Sequence, residues 1–220
     1  GAVRDRLLGQ DGTADYDFAT NATPEEVIAL FHRVIPTGIK HGTVTVRFHG
    51  NSYEVTTYRV DGAYTDRRHP DQVHFTRSLK EDLARRDFTV NALAADPQTG
   101  RIIDCYAGKT DLDARIVRAV GEPSERFEED ALRMVRAVRF AAQLHFTIEP
   151  RTLDAISTHA PSIQHVAIER VAQEINKLMT ADRPSIGWRI LDSTGLLQHL
   201  VPELTDDRRL RIPVDVFDHL

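Results

Sequence analysis

The chain has 220 residues, with 28 Lys and Arg against 33 Asp and Glu for a formal charge of −5, and 41% of it is hydrophobic. Enough apolar material for a core excludes disorder as the main state, and the charge argues mildly against a polyanionic partner. The single cysteine, Cys105, excludes an intrachain disulfide, and no apolar run approaches the roughly 20 residues that a membrane helix needs. Residues 1–121 carry 16 basic against 17 acidic side chains, and residues 122–220 carry 12 against 16. Gly1-Ala2-Val3-Arg4-Asp5 does not read as a signal peptide, so a cytoplasmic enzyme is expected. Both ends read as cut, and we expect a piece of a longer protein.

Gly1 leads at once into a helix-like segment that Gly9 would cap. A glycine ahead of a helix leaves backbone N–H groups facing outward, which suits phosphate, and Arg4 would add charge-assisted contacts. Residues 14–20, with Asp15, Tyr16, Asp17 and Phe18, read as a strand. Side chains two apart share a face, so Asp15 and Asp17 would point together while Tyr16 and Phe18 face the core. Adjacent carboxylates repel unless a cation or proton sits between them. Oxygen-only donors suit Mg²⁺. The competing reading is a solvated strand edge.

Thr23-Pro24-Glu25-Glu26 opens a helix, with Thr23 as N-cap and Glu26 closing a capping box. Val27, Leu30, Phe31 and Val34 give its apolar stripe. Val44–Phe48 and Tyr53–Tyr58 are strand-like, and Gly50-Asn51 signals a hairpin whose loop is slightly longer than two residues. Glu54 would share a face with Thr56 and Tyr58, either as a third acid or as an exposed strand residue. Residues 59–77 read as a long polar loop, functional or disordered. Asp87 and Asn91 lie four apart on an expected helix and would share its face.

After Gly121 the strand signals vanish. Residues 124–145, 150–159, 168–181 and 184–194 read as successive helices, and Gly121-Glu122-Pro123 marks a boundary. Glu129, Asp130, Arg133 and Arg136 form a second charged cluster. Asp130 and Arg133 would adjoin as an i,i+3 pair. A fixed acceptor beside a two-donor fork is an edge that can read a base. The alternative is an intrahelical ion pair worth only about 0.3–0.5 kcal/mol.

Five motifs in order now resemble those of class II tRNA nucleotidyltransferases and bacterial poly(A) polymerases. Gly1-Ala2-Val3-Arg4-Asp5-x-Leu7-Leu8-Gly9 followed by Asp15-x-Asp17-x-x-Thr20 is similar to motif A, with one glycine where the family has two. Arg85-Arg86-Asp87-Phe88-Thr89-Val90-Asn91-Ala92 resembles motif B, and Asp104 to Gly108 with Asp111 resembles motif C. Glu129-Asp130-Ala131-Leu132-Arg133 resembles motif D. Glu169-Arg170 through Glu174 and Lys177 resembles motif E.

The resemblance implies an α+β chain. A DNA-polymerase-β-like nucleotidyltransferase head (a small mixed sheet with helices, 1–121) would precede an all-helical neck (122–181) and the start of a helical body (182–220). It implies two Mg²⁺ on Asp15 and Asp17, with Glu54 as the third catalytic acid. It implies triphosphate contacts from Gly1, Arg4, Arg85 and Arg86, and ribose recognition by Asp87 and Asn91. Base recognition would fall to Asp130 and Arg133, with Glu129 and Arg136 beside them. Gly108 reads as a hinge and motif E as structural. The loop 59–77 is similar to the family's flexible loop, and His219 resembles the first histidine of an HD segment.

The implied activity is template-independent addition of CCA, from CTP and ATP, to the 3′ end of tRNA, with no membrane partner. Oligomeric state is left open. The alternatives are A-adding, CC-adding or poly(A) activity, or a non-catalytic RNA-binding module.

Overall fold

Helix α1 (Ala2–Leu7) opens the first of two units, Gly1–Lys109 and Thr110–Leu220, in a computed structural model that describes residues 1–10, 16–62 and 73–205. The first unit is built on a four-stranded sheet of β1 (Asp17–Thr20), β2 (Val34–Gly38), β3 (Thr43–Phe48) and β4 (Asn51–Thr57) in the order β1-β4-β3-β2. β1 runs parallel to β4, and the other pairs are antiparallel. Strand alternation sorts the two faces. Val44, Val46 and Val55 turn to one side, where Val27 of α2 (Pro24–Leu30) packs on them with Ala22 and Val34. The other side carries Asp17, Glu54 and Thr45 in one row, and Ala19, Thr56 and Thr43 in the next. Threonine hydroxyls bond across it, Thr43 to Thr56 and Thr37 to Thr45, both at 3.0 Å.

The cap of α2 forms as its spacing predicts. Thr23 Oγ1 accepts from the Glu26 N–H at 3.3 Å, and Glu26 Oε2 accepts from the Thr23 N–H at 2.7 Å. The expected stripe is only partly realised. The helix stops at Leu30, which is 74% exposed, because Phe31 is extended and leads into β2. Tyr16 and Phe18 are also exposed rather than buried. β1 is an edge strand, and Phe18 packs edge-on against Tyr53 of the adjacent β4 at 5.7 Å between ring centroids. The β3–β4 loop has two residues, not more. His49 (φ 48°) and Gly50 (φ 82°) both lie in the left-handed region, as a type I′ turn requires.

The segment expected to be structureless from 59 to 77 begins and ends in a ladder. β5 (Arg59–Asp61) pairs antiparallel with β6 (Val73–Phe75). The remainder, 63–72, lies outside the described residues. α3 (Leu79–Ala84) follows, then a 3-10 turn at Thr89–Asn91 and a hairpin of β7 (Leu93–Ala95) with β8 (Ile102–Asp104). α4 (Gly108–Ala114) spans the division between the units. Asp104 starts this helix by accepting from the N–H groups of Gly108 and Lys109, both at 2.9 Å.

The second unit is helical. β9 (Ile116–Val117), α5 (Pro123–Glu129), α6 (Leu132–Leu144), β10 (Thr147–Ile148) and α7 (Pro150–His159) precede α8 (Ile168–Met179), α9 (Pro184–Ser193) and α10 (Leu196–Leu200). α6 is the core element. Met134, Val135, Ala137, Val138 and Ala141 are fully buried where it meets α8 and α9. The single helix expected over 124–145 is two helices, because Asp130 takes extended backbone angles between α5 and α6. By contacts, the chain divides after Lys109. The cause of this division is β9, which pairs with β10 and is fastened by Asp111–Arg118 and Arg118–Glu149 ion pairs.

Candidate active site

Parallel pairing of β1 with β4 sets Asp17 directly opposite Glu54. Both side chains are exposed, and among the described residues neither has a hydrogen bond or an ion pair. Like charges directly opposite destabilise a sheet, so this row keeps a cost that folding alone does not require. Asp15, expected beside Asp17, lies outside the described residues, and so does His219.

A second cluster gathers around the turn after α3. Arg4, only 8% exposed, donates from Nη1 to Asn91 Oδ1 at 2.5 Å and from Nε to Asp5 Oδ1 at 2.8 Å. Asn91 in turn donates from Nδ2 to Asp87 Oδ1 at 3.0 Å, and the same oxygen accepts the Phe88 N–H at 2.8 Å. Asp87 and Asn91 therefore meet, but across a 3-10 turn entered from an extended Phe88, not along a helix face. Gly108 fixes this turn from behind. A Cβ there would stand 2.1 Å from the Thr89 carbonyl oxygen, so glycine is demanded by close approach.

Arg85 and Arg86 meet a carboxylate that sequence reading missed. Asp82, on α3 and 1% exposed, receives Arg85 Nη2 at 2.8 Å and Nε at 3.1 Å, the Arg59 N–H at 3.2 Å, and Arg86 Nη2 at 3.6 Å. Arg59 also reaches Asp61 at 3.2 Å, so the network ties α3 to the β5–β6 ladder. Its signal was present, since Arg85 and Arg86 stand three and four residues after Asp82. Burial first, and then the Asp82 charge, push the Tyr58 phenol up.

In the second unit Asp130 and Arg133 do not pair with each other. Arg133 Nη1 lies 2.6 Å from Glu129 Oε2, and Arg126 reaches the other Glu129 oxygen at 2.5 Å. Asp130 accepts the Leu132 N–H at 3.1 Å and takes a fork from Arg170 of α8 at 2.7 and 3.3 Å. The helix break is the physical reason: it turns Asp130 out of the i,i+3 spacing and toward α8. Arg136 lies 3.5 Å from buried Glu174, which Arg139 at 2.6 Å and Lys177 at 3.4 Å also approach. Motif E residues Arg170 and Glu174 therefore hold the motif D cluster. Nothing local in the sequence announces the Asp130–Arg170 pair, whose members are 40 residues apart.

Among the described residues no three His, Cys, Asp or Glu side chains group as a metal site, and no described helix is long and apolar enough to cross a membrane. Comparison with known proteins gives a consistent result. The family model for the poly(A) polymerase head domain matches residues 1–118, and that for the probable RNA and SrmB-binding site of polymerase A matches residues 145–208. A CCA-adding enzyme of Levilactobacillus brevis is 52% identical over 94% of this chain and 52% of its own length. The Bacillus stearothermophilus CCA-adding enzyme, solved in complex with CTP, superposes with a TM-score of 0.86 at 45% identity, over 96% of this chain and 51% of that one. A tRNA nucleotidyltransferase solved with a primer tRNA and an incoming ATP analog gives 0.74 at 28% identity, covering 91% and 57%. The chain spans about half the length of the curated relatives it matches. With more than half its length matched by the head-domain model, the chain belongs to the poly(A) polymerase head-domain family of nucleotidyltransferases.

Proposed function

We propose that this chain is the catalytic part of a CCA-adding tRNA nucleotidyltransferase. In this reading 1–121 is the catalytic head, 122–181 the base-reading neck and 182–220 the start of the body, in a cytoplasmic enzyme. The single observation that carries the reading is the Asp17–Glu54 register on an exposed sheet face. The similarity to CCA-adding enzymes narrows the class of transfer.

The donor set fits a hard divalent cation: carboxylate oxygens, exposed, with no protein cation answering them among the described residues. Asp15 and Asp17 are the proposed ligands of two Mg²⁺, with Glu54 as the third acid. Bound Mg²⁺ supplies a lowered pKa for the primer 3′-OH and charge neutralisation at the α-phosphate and pyrophosphate.

The protein's own groups bind and orient. Asp87 and Asn91 offer an oriented carboxylate and amide to the ribose hydroxyls. Of the proposed triphosphate set, Arg85 is turned to Asp82 and Asp61, leaving the Gly1 backbone and Arg86 as the better placed groups. The buried Arg86 Nε has no hydrogen-bond partner among the described residues. Asp130 and Arg133 present an acceptor and a donor fork, which match the amino group and ring nitrogen of cytosine or adenine. Glu129 braces Arg133 and Arg170 braces Asp130, with Arg136 held beside them by Glu174.

The test uses the full-length protein with tRNAs lacking CCA, CA or A, each given CTP or ATP alone. The reading expects C on the first two substrates and a single A on the third. A addition alone, or an open-ended A tail, would move the assignment to A-adding or poly(A) activity. RNA retention with no incorporation would leave a binding module.

A further inference from the structure

We propose that Arg4 is a positioning residue for ribose selection, not primarily a phosphate ligand. The inference rests on the nucleotidyltransferase reading of this site. It starts from a chemical asymmetry. A guanidinium only donates, whereas an Asn side chain has one accepting and one donating end. Arg4 Nη1 faces Asn91 at 2.5 Å, so Asn91 must turn its oxygen toward Arg4. That choice sends Nδ2 toward Asp87, where it donates to Oδ1 at 3.0 Å. Arg4 thereby sets the sense of a directed chain, Arg4 to Asn91 to Asp87.

Three further observations support this chain as a built device. Arg4 is buried on α1, and Asp5 holds its guanidinium at Nε and Nη2, at 2.8 and 2.7 Å. The Asn91 carbonyl accepts from Arg86 Nη1 at 3.3 Å, which fixes the backbone of the same residue. Gly108, with no Cβ, admits the close approach of the Thr89 carbonyl, so the turn that carries Asn91 can pack tightly there. Without Arg4 the orientation of the Asn91 amide is held from the Asp87 side alone. Its flipped form would set Oδ1 against the Asp87 carboxylate, acceptor against acceptor, and displace it.

A site built to bond a hydroxyl discriminates strongly against an analogue lacking it only while its polar groups are held in place. The test is therefore a ratio: kcat/KM for CTP against dCTP, measured on full-length Arg4→Met, Arg4→Lys, Asn91→Ala and the Arg4→Met/Asn91→Ala double variant. A ratio taken within one preparation is unaffected by partial unfolding.

The expected result is a CTP preference about tenfold weaker in Arg4→Met, a loss similar to that in Asn91→Ala, with no further loss in the double variant. Arg4→Lys, which keeps a donor, should regain part of the preference. Arg6→Met, on the exposed side of α1, should leave it intact. If Arg4→Met weakens CTP and dCTP equally, Arg4 is a phosphate contact and the proposal is overturned while the enzyme assignment stands. Equal use of CTP and dCTP by the unaltered enzyme would overturn the ribose assignment and this proposal together.

Discussion

The helical charged cluster and the exposed face of the sheet treat acidic side chains in opposite ways. In the helical unit each carboxylate of the charged cluster is answered by arginine: Glu129 by Arg126 and Arg133, Asp130 by Arg170, Glu174 by Arg136 and Arg139. On the sheet of the first unit, Asp17 is set opposite Glu54, and among the described residues no cation answers either. Buried charge has to be paired to be tolerated. Exposed like charges set opposite each other are tolerated at a cost and remain available to a ligand. The contrast separates acids paired within the fold from exposed acids that no cation answers among the described residues, and under the proposed function the latter take the metal ion.

The contrast can be broken at its sharpest point. Asp17→Ala in the full-length protein should abolish Mg²⁺-dependent nucleotide incorporation, the largest effect expected here, while leaving the thermal midpoint unchanged or slightly higher, because a like-charge pair has been relieved. Residual incorporation at the unaltered rate would remove Asp17 from the site. Glu174→Leu should behave in reverse. It leaves Arg139, itself buried and stacked 3.9 Å from the Phe140 ring centroid, without its carboxylate. Breaking a buried pair from one side costs about 3–5 kcal/mol, to be read by denaturant unfolding. A loss under about 1 kcal/mol would mean that these pairs are not what holds the helical cluster together.

What was legible in advance follows the range of the interaction. The α2 cap was readable from Thr23 to Glu26 because both partners lie within one turn. The Asp17–Glu54 juxtaposition was half readable. Alternation placed each acid on a face, but the parallel register that sets them opposite is a property of the sheet. The break at Asp130 was illegible, since residues 124–145 keep a helical apolar period through it and the partner that Asp130 then meets is an arginine on another helix. The β5–β6 ladder was hidden for a related reason. Its two strands are three residues each and lie far apart in a polar stretch, so pairing rather than pattern makes them strands.

The turn behind Asp87 gives an intermediate effect. Gly108→Ala places a methyl 2.1 Å from a backbone oxygen that cannot rotate away as a side chain would. Overpacking of this kind costs roughly 1–3 kcal/mol. Because Thr89 heads the turn that carries Asn91, the variant should also lose ribose selectivity in excess of its lost stability. Stability lost with the CTP/dCTP ratio intact would show that the close contact serves packing alone.

The smallest effect tests whether pairing or burial matters in the helical unit. Arg151 and Glu122 form an ion pair at 2.8 Å, as short as many in the cluster, but their side chains are 72% and 48% exposed. Exposed pairs gain little Coulomb energy in water and must immobilise two long side chains, so their net worth is about 0–1 kcal/mol. Arg151→Ala should therefore shift the unfolding free energy by less than about 0.5 kcal/mol, and raised salt should erase even that shift. The same salt should leave the Glu174→Leu penalty nearly unchanged, since a buried pair is poorly screened. If instead the two variants cost the same, distance alone would set the worth of an ion pair in this unit. The distinction between acids that hold the fold and acids on its surface would then have to be drawn from geometry at the sheet, where Asp17 and Glu54 still face each other.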